Sequence, residues 1–384
     1  MVGLRVWVLV LVGCIFFEGC LGRTIVLTCG NDLKNQVESA KRFDVLVSNG
    51  ACKWTVGQVI RIAIPLTIKG VHVTLTPGVV IPVFAIFSAG VTISDFTIIG
   101  NRNSVTKAES LIKVHKGGFV IENGILKASS SHGVRIAPIA GGDKIDGGII
   151  RDLVGYRNMG NLLFISTTNE GRITTKNILV ENLRAYDSKF KGALEVSNGV
   201  QDIFVQTIYA ERCVFAFGMH DQGGKMHNIR RLFLNNVVAR NCGFGIQSRT
   251  SIPHFDISIS GVIIENCRVA LQINNLNWGR LYDVRVIDAG IGRTQIAVLN
   301  SDNMTVRDVA FIGTSSNGNA VLIKNSSSVR VSGITLGERT SFGIGMTFFE
   351  TIKSKFLSAD ISEINLRAAK VEEIKIVPVR PTGA

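Results

Sequence analysis

Glu195, His220, Asp221 and Arg249 are the residues of this chain whose types suit proton chemistry on an acidic substrate. Histidine changes charge nearest to neutral pH, so His220 can take or return a proton. Arg249 carries a planar fork that matches a carboxylate. A C–H bond beside a carboxylate becomes acidic only when one group neutralises that carboxylate and another accepts the proton, and these two residues supply one of each. A cationic neighbour disfavours the imidazolium, so His220 next to Arg249 is expected to stay neutral and able to accept. Glu195 and Asp221 offer a second chemistry, the paired carboxylates of glycosidic hydrolysis. None of this operates unless the fold brings separate segments together.

A repeat supplies that positioning. Cys213, Cys242 and Cys267 recur in similar contexts, Glu211-Arg212-Cys213, Arg240-Asn241-Cys242 and Glu265-Asn266-Cys267, at separations of 29 and 25 residues. After each comes a short apolar alternation, and the series extends both ways: Val134-Arg135-Ile136, Leu163-Phe164-Ile165, Leu194-Glu195-Val196, Phe217-Gly218-Met219, Ile246-Gln247-Ser248, Leu271-Gln272-Ile273, Ile296-Ala297-Val298 and Val321-Leu322-Ile323. The central residues step by 29, 31, 23, 29, 25, 25 and 25. A period in the twenties with short strands and no helix between them predicts an all-β, parallel β-helix solenoid. Leucine-rich repeats lack their Leu/Asn signature here, and a propeller needs about 40–50 residues per blade. The cysteines then form an inward ladder of small apolar thiols, and Asn241 and Asn266 hold matching turns.

Alternation sorts each unit into inward and outward positions. One outward column reads Arg135, Phe164, Glu195, Gly218, Gln247, Gln272, Ala297, Leu322; the next reads Ala137, Ser166, Ser197, His220, Arg249, Asn274, Leu299, Lys324. Polar residues concentrate between Glu195 and Asn274. His220 and Arg249 fall on consecutive coils, with backbones about 5 Å apart. Gln247, Gln272, Asn274, Lys225, Arg135 and Tyr186 are the expected substrate contacts, with Lys225 and Tyr186 also able to return a proton or meet the leaving oxygen.

The ends have other tasks. Residues 1–22 read as a secretory signal, with Arg5, an apolar stretch over 6–17 and the small-residue exit Cys20-Leu21-Gly22. Leu11-Val12-Gly13-Cys14 allows a lipid anchor at Cys14 instead. Either way the expected location is extracellular. In that oxidising setting Cys29 and Cys52 can pair. Asn303-Met304-Thr305 and Asn325-Ser326-Ser327 fit the glycosylation pattern. Asn31 or Asp32 is expected to cap a helix running to about Phe43, with Leu33, Val37 and Ala40 on one face plugging the first coil. The β-helix is expected over 23–352 and a C-terminal cap and tail over 353–384, with 368–379 covering the far end.

Composition excludes several classes. Hydrophobic residues make up 46% and charged ones 18% of the 384, which rules out a disordered chain. Beyond the N-terminus no apolar run approaches the roughly 20 residues of a spanning helix. The 40 glycines against 7 prolines suit many strands joined by tight turns. The net charge of +13 fits an anionic polymer. Scattered basic residues, few aromatics and export argue against nucleic acid.

Units such as Val91-Thr92-Ile93-Ser94-Asp95-Phe96 and Met304-Thr305-Val306-Arg307-Asp308-Val309, together with the cap helix and Val73-Thr74-Leu75-Thr76-Pro77-Gly78, resemble the pectin-lyase-like superfamily of right-handed parallel β-helix proteins over roughly residues 30–350. The resemblance implies polysaccharide lyases, C5-epimerases, glycoside hydrolases or non-catalytic sugar-binding proteins. The paired aspartates and Gly-His-Gly of polygalacturonases are missing, as is the Asp-Pro-His of alginate epimerases, whose nearest string is Met219-His220-Asp221. The leading expectation is a secreted, monomeric enzyme that abstracts the C5 proton of a uronic-acid polymer, ending in β-elimination or epimerisation. Hydrolysis through Glu195 and Asp221 is the second, and sugar binding by Gln247, Gln272, Asn274 and Asn275 without catalysis is the third. No cofactor is expected; calcium would follow from the resemblance, but the groove lacks a dense acidic cluster.

Overall fold

The computed structural model describes residues 22–102, 108–139, 144–167, 174–197, 199–221, 227–288, 295–312, 315–324, 326, 329–336, 341–347, 359–361 and 364–366. The chain winds into a right-handed parallel β-helix of about 11 turns. A typical coil is one long strand followed by one short strand, as in Thr175–Tyr186 with Leu194–Ser197, then Val200–Glu211 with Phe215–His220, Arg230–Arg240 with Phe244–Arg249, and His254–Glu265 with Val269–Asn274. Long strands pair with long and short with short, always in parallel, so the coils form two continuous sheets.

The cross-section closes because left-handed residues recur at its corners. Within these long strands two such residues drop out of the pairing register: Asn177 (φ 58°) and Asn182 (φ 52°) in one coil, Arg231 (φ 52°) and Asn236 (φ 57°) in a later one, then Asp256 (φ 56°) and Gly261 (φ 63°). Asn and Asp tolerate this conformation through local hydrogen bonds, and Gly has no Cβ to clash. At Gly261 a Cβ would sit 2.8 Å from the Asn236 Oδ1, so glycine is needed there for space as well as for φ. A second corner follows the long strand, where Asn241 (φ 52°) and Asn266 (φ 51°) stack with an amide–amide hydrogen bond of 2.6 Å. These are the two asparagines expected to hold turns.

Between the corners lies a dry core of ladders. Ile178, Ile203, Leu232 and Ile257 stack in register, as do Leu194, Phe217, Ile246 and Leu271, all essentially inaccessible. Burial of each such side chain contributes roughly 1.5–3 kcal/mol. Cys213, Cys242 and Cys267 form the buried thiol ladder predicted for them.

At the N-terminal end the helix is Leu33–Glu38, with the Asp32 side chain accepting from the Lys34 N–H. Leu33 and Val37 are buried against the first coils. The helix stops well before Phe43, which is exposed and left-handed (φ 66°). The Asp44 carboxylate accounts for this: it accepts from the Lys41 N–H (2.8 Å) and pairs with Arg23 (2.9 Å), turning the chain out of the helix. Cys29 and Cys52 are joined by a disulfide. Toward the other end Ala359–Ile361 and Ile364–Leu366 still pair with Val329–Leu336. Residues 1–21, 353–358 and 368–379 lie outside the described residues.

Candidate active site on the short sheet

The short sheet brings the sequence-predicted columns into register. Arg135, Phe164, Glu195, Gly218, Gln247, Gln272, Ala297 and Leu322 are successive Cα partners. Ser197, His220 and Arg249 are likewise partners, which places the imidazole and the guanidinium on neighbouring rungs. The backbone between them repeats at about 4.8 Å.

The nearest charged partner of His220 is not Arg249. Glu195 Oε1 lies 3.4 Å from His220 Nδ1, at ion-pair distance. Gly218 permits this approach. It stands between Glu195 and Gln247 in the outward column, and a Cβ there would fall 2.8 Å from the Phe215 ring and 3.2 Å from His220 Cε1. With no side chain at Gly218, the imidazole of the same strand leans back over it to reach the preceding coil. Phe215 meets it edge-on, with ring centroids 5.2 Å apart. The expectation that a cationic neighbour governs His220 is therefore corrected: its immediate electrostatic partner is a carboxylate.

Glu195 is the hub of the cluster. Its side chain is only 1% exposed, against 12% for His220. Asn161 Nδ2 donates to Glu195 Oε2 at 2.8 Å, and Lys191 Nζ lies 3.0 Å from the same oxygen. Burial by itself pushes this carboxyl up, but the imidazole of His220, then Lys191 and Asn161, outweigh it and hold the group down at about 2. It is thus an ionised carboxylate at any ordinary pH. Asn161 is itself fixed, accepting from the Gly192 N–H at 3.0 Å. Its own N–H donates to His132 Nδ1 at 3.1 Å. His132 stacks on Phe164 with centroids 4.6 Å apart. Burial drives its pKa down to about 4 against the opposing pull of Glu195, so it is neutral.

On the next rung Arg249 stands exposed at the surface. The Gln247 amide, oriented with its oxygen toward the guanidinium, accepts from Arg249 Nε at 3.1 Å and Nη2 at 3.2 Å. The guanidinium also lies over Phe244 at 5.9 Å, and Arg268 approaches the same ring at 5.1 Å. Arg135, two coils before Glu195, lies over Phe164. The face thus offers guanidiniums on both sides of the histidine.

Other predicted residues have structural partners. Asp221 does not stand free beside His220: its Oδ2 accepts from the Ser251 N–H and from the Ser251 hydroxyl (2.7 Å), fixing the turn of the following coil. Glu195 and Asp221 are therefore not two water-facing carboxylates, since one is buried and the other caps a turn. Gln272 contacts the Gln247 amide at 3.2 Å. Asn274 accepts from Asn300 (2.8 Å) and donates to the Thr250 carbonyl (3.1 Å), and Asn275 donates to that same carbonyl. Much of the amide strip's hydrogen-bonding capacity is spent on itself. Tyr186 is on the long strand, in the other sheet from Glu195, stacked on Tyr156 (5.1 Å) and tilted against Tyr209 (5.6 Å). Lys225 and Asn325 lie outside the described residues, and Asn303 is in a left-handed turn (φ 53°).

Residues that sequence reasoning passed over are His132, Asn161, Lys191, Phe215 and Phe244. All but Lys191 share one column, two positions before the aligned apolar triplets: His132, Asn161, Gly192, Phe215, Phe244. Extending the repeat alignment by two residues would have exposed them. Among the described residues no group of three or more His, Cys, Asp or Glu side chains is placed to hold a metal ion.

No protein-family model and no curated protein matches the sequence. Solved structures do resemble it. The A-module of mannuronan C-5 epimerase AlgE4 from Azotobacter vinelandii is 12% identical with a TM-score of 0.55, over 92% of this chain and 96% of that one. The AlgE6 A-module from the same organism is 12% identical with a TM-score of 0.51, over 92% and 94%. A PL6 alginate lyase in complex with a trisaccharide is 11% identical with a TM-score of 0.46, over 96% and 98%. At these identities the likeness to the two epimerase modules shows a shared right-handed parallel β-helix.

Proposed function

We propose that this protein is an exported enzyme that removes the C5 proton of a uronic-acid unit in an acidic polysaccharide. One observation carries the reading: a buried, ionised Glu195 lies against His220 Nδ1, with Arg249 on the adjacent rung. The negative charge of Glu195 beside Nδ1 favours the tautomer that keeps its proton on Nδ1, leaving the Nε2 lone pair as the base. Arg249, steadied by Gln247, pairs with the sugar carboxylate and draws charge from the C5–H bond. His220 accepts that proton, and the carbanion formed is stabilised through the carboxylate.

Two outcomes share this first half. In β-elimination the C4–O bond breaks, a C4–C5 double bond forms, and the imidazolium returns its proton to the leaving oxygen. In epimerisation a second donor delivers a proton to the opposite face of C5. The fold shared with two epimerase modules and the formal charge of +13 support an anionic sugar polymer. Hydrolysis is less well served, because Glu195 is held ionised and cannot act as the general acid.

The test is incubation of the mature chain with alginates, pectates and glycosaminoglycans, following unsaturated-sugar absorbance and C5 stereochemistry. Turnover is expected with at least one polyuronate. His220→Ala should abolish it without loss of fold, and Arg249→Lys should lower it by about tenfold or more, because a point charge replaces the fork. An active His220→Ala variant would remove the proposal.

A further inference from the structure

A second groove runs along the outer face of the long sheet. It encloses about 990 Å³ and meets another of about 500 Å³ at Phe233 and Ser258. One outward column, Phe204, Phe233, Ser258, Arg280, Thr305 and Arg330, follows it rung by rung. Trp278 stands in the same groove, 63% exposed and left-handed (φ 62°). A bulky residue rarely adopts that backbone conformation, and a large apolar ring in water is unfavourable as well. Both costs fall on one residue. Phe204 and Phe233, 46% and 42% exposed, stack beside it with centroids 5.1 Å apart.

Charge decides what such a surface would hold. Arg280 and Arg330 line the groove without an ion-pair partner among the described residues, while Arg231 is paired with Asp202 at 2.5 Å. Asp256 is the one carboxylate in the described lining. Arg280 and Arg330 are two rungs apart, about 10 Å along the axis, a distance on the scale of two sugar units. The aromatic face of an exposed Trp attracts electropositive C–H groups such as those on the flat side of a pyranose.

We propose that this groove is a non-catalytic subsite for a second stretch of acidic polysaccharide, with Trp278 stacked on a sugar ring and Arg280 and Arg330 on its carboxylates. The ligand class rests on the function proposed above. The subsite would hold a long polymer on the enzyme while the short sheet acts on another segment.

The experiment measures binding of long polyuronate and of neutral dextran, using full-length mature protein made without N-glycosylation so that Asn303 at the rim is bare. Trp278→Ala and the double variant Arg280→Gln/Arg330→Gln should each weaken polyuronate binding about tenfold or more, with thermal stability and turnover of short oligomers unchanged. Binding by wild type should fall with added salt and be absent for dextran. Unchanged affinity in both variants, no polyuronate binding by wild type, or loss of self-association in Trp278→Ala would each overturn the subsite. His220→Ala separates the two proposals. Weakened binding in Trp278→Ala with no turnover of any polyuronate would leave the groove and remove the catalysis. Turnover with unaltered binding would do the reverse.

Discussion

His220 and Glu195, on adjacent coils, meet diagonally over Gly218. Their Cα register is diagonal, since Glu195 pairs with Gly218 and His220 pairs with Ser197. The 3.4 Å approach of Nδ1 to Oε1 depends on the side chain that Gly218 lacks.

Gly218→Ala should therefore uncouple the pair. The added methyl would displace Phe215 and His220, costing roughly 1–3 kcal/mol of stability as overpacking does. Turnover should fall by at least about tenfold, more than the loss of folded protein explains. Rate constants and thermal unfolding on the same samples would show it; an unchanged rate would mean that the diagonal contact is dispensable.

Glu195→Gln keeps the shape and removes the charge. Lys191 and His220 lose the buried carboxylate they face, and because Lys191 stays partly exposed stability should drop by only about 1–3 kcal/mol. Turnover should fall by roughly 10²–10⁴, by analogy with other carboxylate-oriented histidines, with KM changing much less. Denaturant titration and steady-state kinetics would separate the two effects.

Acid should unfold the protein in two windows. Burial lowers His132 and His254 to about 4. Between their unfolded value near 6.5 and about 4 the unfolded chain binds protons that the fold refuses, so stability falls as pH drops through that range. Glu195, at about 2 in the fold against its ordinary 4.5, contributes stability that is complete above 4.5 and lost as pH falls toward 2. Urea midpoints between pH 7 and 3 would report both windows. His132→Asn should flatten the upper window, and an unchanged slope in that variant would assign the loss elsewhere.

Asn241→Ala tests a corner. Alanine at φ 52° costs about 1–2 kcal/mol, and the amide bond to Asn266 is lost as well. The expected result is a lower unfolding temperature with turnover per folded molecule unchanged.

The columns of the short sheet could be read from the residues because strand side chains alternate with a period of two and in-register coils stack like upon like. Arg135 through Leu322, the cysteine ladder and the Asn241–Asn266 corner all follow from that rule. The helix boundary did not, because Asp44 lies beyond the helix and captures the Lys41 N–H from outside it. Tyr186 was misplaced for a related reason: alternation tells in from out but not which flank of a coil a residue joins.

Sequence alone determined the period, the inward and outward columns and the pairing of His220 with Arg249 on consecutive rungs, since each is a property of spacing along the chain. Tertiary structure decided which partner the imidazole takes. That choice depends on an absent side chain at Gly218, on the burial of Glu195 beside Asn161 and Lys191, and on Asp221 turning to Ser251. These are distances between coils, set by packing in three dimensions.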